Sequence, residues 1–156
     1  MQTNNILYKI TKALHLESDS TLRAYKLAEF TLSPQRLDAI LKPLDDKEYE
    51  VCTYEELGVF LDGLILLKRG PSPKKSTAQT LELTNNLILK KLRIALELKE
   101  AEVEIIFGLG EANLSKQQLS ALFRSEKNKN FTLCSDELLF AFLDGLDEFY
   151  FIKESN

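Results

Sequence analysis

The chain has 156 residues, of which 44% are hydrophobic, 28% charged and 9% aromatic, the composition of an ordinary globular protein. Twenty Lys and Arg stand against twenty-four Asp and Glu for a net charge of −4, shared evenly as nine against eleven in residues 1–70 and eleven against thirteen in 71–156. That balance excludes nucleic-acid binding through a general basic excess and leaves only a local patch for it.

Sliding the chain against itself by 82 residues aligns Asn4–Leu64 with Asn86–Leu146 without a gap, and about 23 of the 61 pairs are identical. Each copy reads as four helices. The first is expected to open on Asn4 or Asn86 as N-cap, and it carries Ile6, Leu7, Ile10 and Leu14, or Ile88, Leu89, Leu92 and Leu96, on one stripe. The second repeats Thr21, Ala24, Tyr25 and Ala28 as Val103, Ile106, Phe107 and Gly110. The third opens on Ser33 or Ser115, with Pro34 suited to a first-turn position that needs no N–H donor. Its apolar face is Leu37, Ile40 and Leu41, or Leu119, Leu122 and Phe123.

Before the fourth helix, Tyr49–Cys52 and Phe131–Cys134 alternate apolar residues and leave room for a brief strand pairing. Val51 and Leu133 beside the cysteines suggest packing there. The fourth helix opens at Thr53 or Ser135, with Glu56 completing a capping box in the first copy only. Leu57, Phe60, Leu61 and Leu64, or Leu139, Phe142, Leu143 and Leu146, then share a face. Lys68-Arg69-Gly70-Pro71 ends the first unit, since cations, a C′ glycine and a following proline all favour a helix stop.

The expected fold is all-α, two tandem homologous four-helix units packed together, with at most one very short extended segment per unit. The divisions are a first repeat over 1–69, a linker over 70–83 and a second repeat over 84–156. The tandem arrangement, the openings Asn4-Asn-Ile-Leu7 and Asn85-Asn-Leu-Ile-Leu-Lys-Lys-Leu-Arg-Ile-Ala-Leu96, and the closing Cys followed by Phe-Leu-Asp-Gly-Leu resemble the YehS-like bacterial tandem-repeat family of unknown function. The resemblance spans nearly the whole chain and implies no activity, cofactor or partner.

Catalytic candidates are few. His15 is the single histidine and is matched by Glu97, which argues against general base work, and no second histidine is present to form a Ser-His or Cys-His pair. Cys52 and Cys134 hold one repeated position, expected as buried small hydrophobes; a helix-start thiolate and a disulfide between copies are the alternatives. Gly63 and Gly145 sit mid-helix, where glycine costs about 0.5–1 kcal/mol relative to alanine, so a close helix approach is expected. Asp62 and Asp144 beside them would cap a helix, pair with a cation or contact a ligand; a small carboxylate-dependent hydrolase is the rival reading that uses them. No residue cluster has metal-ligand spacing, so no metal or cofactor is expected.

Three basic groups remain: Lys68, Arg69, Lys74 and Lys75; Lys90, Lys91 and Arg93; and Arg124, Lys127 and Lys129. The last two share one copy, and their convergence would make a candidate binding patch. No apolar run reaches the roughly 18–20 residues that cross a bilayer, and residues 1–9 lack a leader pattern. The expectation is a cytoplasmic, non-catalytic binding or regulatory module with a protein partner, no membrane contact, and nucleic acid as the alternative.

Overall fold

The computed structural model describes residues 2–71 and 82–155; Lys74, Lys75 and most of the expected linker lie outside the described residues. The first repeat forms helices α1 (Thr3–Ala13), α2 (Ser18–Leu27), α3 (Pro34–Ile40) and α4 (Tyr54–Arg69). The second forms α5 (Asn85–Leu96), α6 (Glu100–Leu109), α7 (Lys116–Leu122) and α8 (Asp136–Ser155). No strand occurs among the described residues. Both repeats are therefore four helices in the same order.

The helix boundaries have local causes. The Ser33 and Ser115 hydroxyls accept from the backbone N–H of Arg36 and Gln118 at 3.0 and 3.1 Å, satisfying donors that the first turn leaves open. Thr53 and Glu56 form the reciprocal capping box expected for α4. Its other end stops at Gly70, whose φ of 79° is ordinary for glycine. The turns after the first and second helices use His15, Glu29, Glu97 and Glu111, all at positive φ and all at matching positions of the two copies.

Asn4 and Asn86 are not N-caps. Helix α1 starts one residue earlier than Asn4 and α5 is capped by Thr84, so each asparagine lies within its first turn. Its amide serves the segment before the fourth helix instead. Asn86 Nδ2 donates to the carbonyls of Leu122 (3.0 Å) and Thr132 (2.9 Å), and its Oδ1 accepts from Cys134 N–H at 2.9 Å. Asn4 makes the same three bonds to Ile40, Glu50 and Cys52. One residue earlier, Thr3 and Asn85 donate to the carbonyls of Cys52 and Cys134.

These side chains do what strand pairing would otherwise do, meeting the obligation of backbone N–H and C=O groups to be paired. The brief strand pairing for which the sequence left room does not form among the described residues. The segment turns each cysteine inward while Val51 and Leu133 remain 66% and 75% exposed, against the packing expected of them. In the first repeat Arg36 adds a second tie. Its guanidinium donates to the Glu56 carboxylate at 2.9 and 3.1 Å, to the Val51 carbonyl at 2.8 Å, and to Glu50. Burial alone would raise the Glu56 carboxyl, but Arg36 and the Thr53 N–H hold it below its ordinary range.

Packing between repeats is reciprocal. Helix α4 lies against α2 of its own repeat and against α5 of the other, while α8 lies against α6 and α1. Exchanging the two repeats maps one set of contacts onto the other, which is the relation of a two-fold axis. The buried side chains of both copies join in one core, with Leu7, Ile10, Phe60, Leu64, Leu89 and Phe142 among those fully buried. Each such side chain contributes about 1.5–3 kcal/mol from burial.

Gly63 and Gly145 are where helices touch backbone to backbone. A Cβ on Gly63 would stand 1.9 Å from the carbonyl oxygen of Ala24 on α2, and one on Gly145 would stand 1.8 Å from that of Ile106 on α6. Neither neighbour is a side chain that could rotate away.

Candidate functional site

The repeated aspartates belong to the junction between the repeats. Lys9 on α1 pairs with Asp144 on α8 at 2.7 Å, and Lys91 on α5 pairs with Asp62 on α4. Lysine and aspartate are thus kept at equivalent places in both copies because each copy supplies both halves of a cross-repeat ion pair. Of the roles open to Asp62 and Asp144, pairing with a cation is the one they fill.

Both cysteines are free and buried. Desolvation pushes each thiol up to about 12 from an ordinary 9, with Glu56 and Asp136 adding to the rise at Cys52 and Cys134 respectively. A thiol so raised is neither the activated nucleophile of a helix start nor, in this fold, half of a disulfide. Among the described residues, no three His, Cys, Asp or Glu side chains are grouped to hold a metal ion, and no helix is long and apolar enough to cross a membrane.

The basic trio on α5 divides. Residues 90, 93, 94 and 97 follow helical spacing and share one face, whereas position 91 points toward α4. Lys90 is exposed. Arg93 is fixed twice, its Nε donating to the Leu98 carbonyl at 3.1 Å and its guanidinium lying 4.9 Å from the Phe123 ring centroid. From α4 of the other repeat comes Arg69, which donates to the Ile94 carbonyl at 3.3 Å and approaches the Glu97 carboxylate at 3.5 Å.

Two shallow hollows flank the Arg93–Phe123 stack. The larger, about 380 Å³, is lined by Arg69 and Lys90 together with Ile94, Glu97 and Leu98. The smaller, about 190 Å³, is lined by Arg124, Glu100 and Ser120 over Leu119. Arg93 and Phe123 border both. Arg124 and Lys90 thus stand in neighbouring hollows on either side of Arg93, whereas Lys91 is drawn into its ion pair and Lys127 and Lys129 line neither hollow.

Sequence spacing could not supply Arg69, because it reaches this face only through the packing of α4 on α5. Phe123 was legible as the apolar end of α7, yet it is only half-buried and carries the guanidinium. The equivalent face of the first repeat is different chemistry: Tyr8, Thr11, Leu41 and Phe151 stand where Lys90, Arg93, Phe123 and Arg69 stand in the second. Thr11 is buried and bonded to the Tyr8 carbonyl, and Lys42, the counterpart of Arg124, pairs with Asp38 at 3.3 Å.

Comparison with known proteins matches the family model described as "Protein of unknown function (DUF1456)" twice, over residues 3–70 and 85–150. The Escherichia coli (strain K12) protein named "Uncharacterized protein YehS" is 32% identical over 150 residues, covering 94% of each chain. No solved structure matches. With both repeats matched by one model and a relative aligned along almost its whole length, the chain belongs to the DUF1456 family of tandem-repeat proteins of unknown function.

Proposed function

We propose that the chain is a non-catalytic binding module whose second repeat holds an acidic segment of a protein partner in its cationic hollows. The observation that carries the reading is the meeting of Arg69, Lys90, Arg93 and Arg124 around one half-buried phenylalanine, in a chain whose net charge is −4. Arginine offers carboxylates a paired, planar donor set, and a guanidinium already held by Phe123 and the Leu98 carbonyl loses less freedom on binding than a free one. The non-catalytic part is supported by the occupation of Asp62 and Asp144 in ion pairs and by two thiols held in their neutral form.

Protein is favoured over nucleic acid because the chain as a whole is acidic, with a net charge of −4, and because apolar Ile94 and Leu98 offer a floor to side chains. A single nucleic-acid strand is the second reading. The Arg93–Phe123 stack favours it, since a base can lie on a guanidinium plane.

The test is capture from lysate by the intact chain and by the Lys90→Glu/Arg124→Glu double variant, each with and without nuclease. The expected result is a protein held by the intact chain after nuclease treatment and lost from the variant. Loss on nuclease treatment would transfer the function to nucleic acid, and equal capture by both chains would remove the hollows from the account.

A further inference from the structure

The junction between the repeats is self-complementary, and from this we infer that two copies of the chain can exchange repeats to form a reciprocal dimer. Three observations meet here. The α1–α8 and α4–α5 contacts are the same contact made twice, in opposite senses. Each repeat contributes a lysine and an aspartate to that junction, so a first repeat meets any second repeat, its own or another chain's, with both ion pairs complete. Further polar and ring contacts across the junction, Arg69 to Ile94 and Glu97, Lys12 to Asp147 at 3.9 Å, and Lys9 over the Phe140 ring, are ones an exchanged partner reproduces, as it does the shared apolar core.

The occupant is therefore a second copy of this chain, and the exchanged dimer buries the same residues as two monomers. What decides between them is concentration, because two repeats joined in one chain meet at a mutual effective concentration on the order of millimolar, whereas repeats of different chains meet at the chain concentration. Dilute chains close on themselves. Chains brought together while unfolded, or unable to close, pair with one another.

Closure has a geometric requirement. Lys9 with Asp144 and Lys12 with Asp147 advance together, as do Lys91 with Asp62 and Ile94 with Arg69, so the packed helices run in the same direction. With Asp62 level with Lys91, the start of α5 stands beside Glu56, so the chain leaving Arg69 must return about 13 helical residues, roughly 20 Å, along α4. With residues 72–82 deleted, five Cα–Cα steps would remain between Arg69 and Asn85, reaching about 17 Å at full extension, too short to close within one chain.

Light scattering on the eluting peak of a sizing column reads the outcome. The deletion variant, with helical circular dichroism retained, is expected at twice the mass of one chain at tens of micromolar, and the intact chain refolded at several hundred micromolar is expected to give a dimer fraction absent after dilute refolding. A folded deletion variant that stays monomeric would overturn the inference. If the deletion variant does not fold, Lys9→Asp and Asp144→Lys chains decide. Each carries like charges within itself, while an exchanged pair of the two matches opposite charges at both junctions. Refolded together at several hundred micromolar, they should yield at least twice the dimer of either alone; equal yields would contradict the exchange.

Discussion

At the scale of single residues, the environment of Cys52 and Cys134 decides their chemistry. A thiol raised to about 12 resists aqueous disulfide reagents, so the native chain should react at neither cysteine at pH 8 and at both after unfolding, read as thiolate released by an aromatic disulfide. The same rise sets a pH dependence. Above about 9 the unfolded thiols lose their protons while the folded ones keep theirs, so stability is complete below 9 and falls as pH climbs toward 12. Tyr25, whose buried phenol is also raised, works in the same direction. Urea unfolding at pH 8, 9.5 and 10.5 should show the fall, and Cys52→Ala/Cys134→Ala should make it shallower. Backbone strain is local as well. Glu111, exposed at φ 67°, should become a better turn residue as glycine, with Glu111→Gly raising stability by about 0.5–1 kcal/mol in the same unfolding assay.

At the scale of helices, two contacts carry the repeat. Gly63→Ala places a methyl group against the Ala24 carbonyl, which only a shift of α2 away from α4 can relieve. A loss of about 2–3 kcal/mol is expected, or roughly 4–12 °C in the melting temperature of a chain this size, and an unchanged melting temperature would contradict the close approach. Asn86→Ala leaves the Cys134 N–H and two carbonyls without their partner and should cost about 3 kcal/mol by urea titration. The two cases differ in how legible they were. A mid-helix glycine retained in both copies announces a contact by its own energetic cost. Asn4 and Asn86 resembled caps because asparagine ahead of an apolar stripe is a cap signal, whereas their partners lie 36 to 48 residues away and no local pattern encodes them. The helix order, the serine and threonine caps and the Gly70 stop were readable because their causes lie within four residues.

At the scale of the whole molecule, duplication gives one architecture and drift gives it two different faces. The halves keep the lysine and aspartate of their junction, yet Lys90, Arg93, Phe123 and Arg69 correspond to Tyr8, Thr11, Leu41 and Phe151 on the other side. The cationic face was only partly visible in the sequence, since Lys90, Arg93 and Arg124 could be grouped by sharing a copy while Arg69 arrives across the junction. That asymmetry is the central functional claim, and it can be tested within one molecule. A photoreactive benzoylphenylalanine placed at Ile94, which is 38% exposed beside the larger hollow, is compared with the same probe at Lys12, its counterpart in the first repeat. After illumination in nuclease-treated lysate, mass spectrometry should find protein adducts at position 94 and few at position 12; adducts of equal yield at both, or none at 94, would contradict the account.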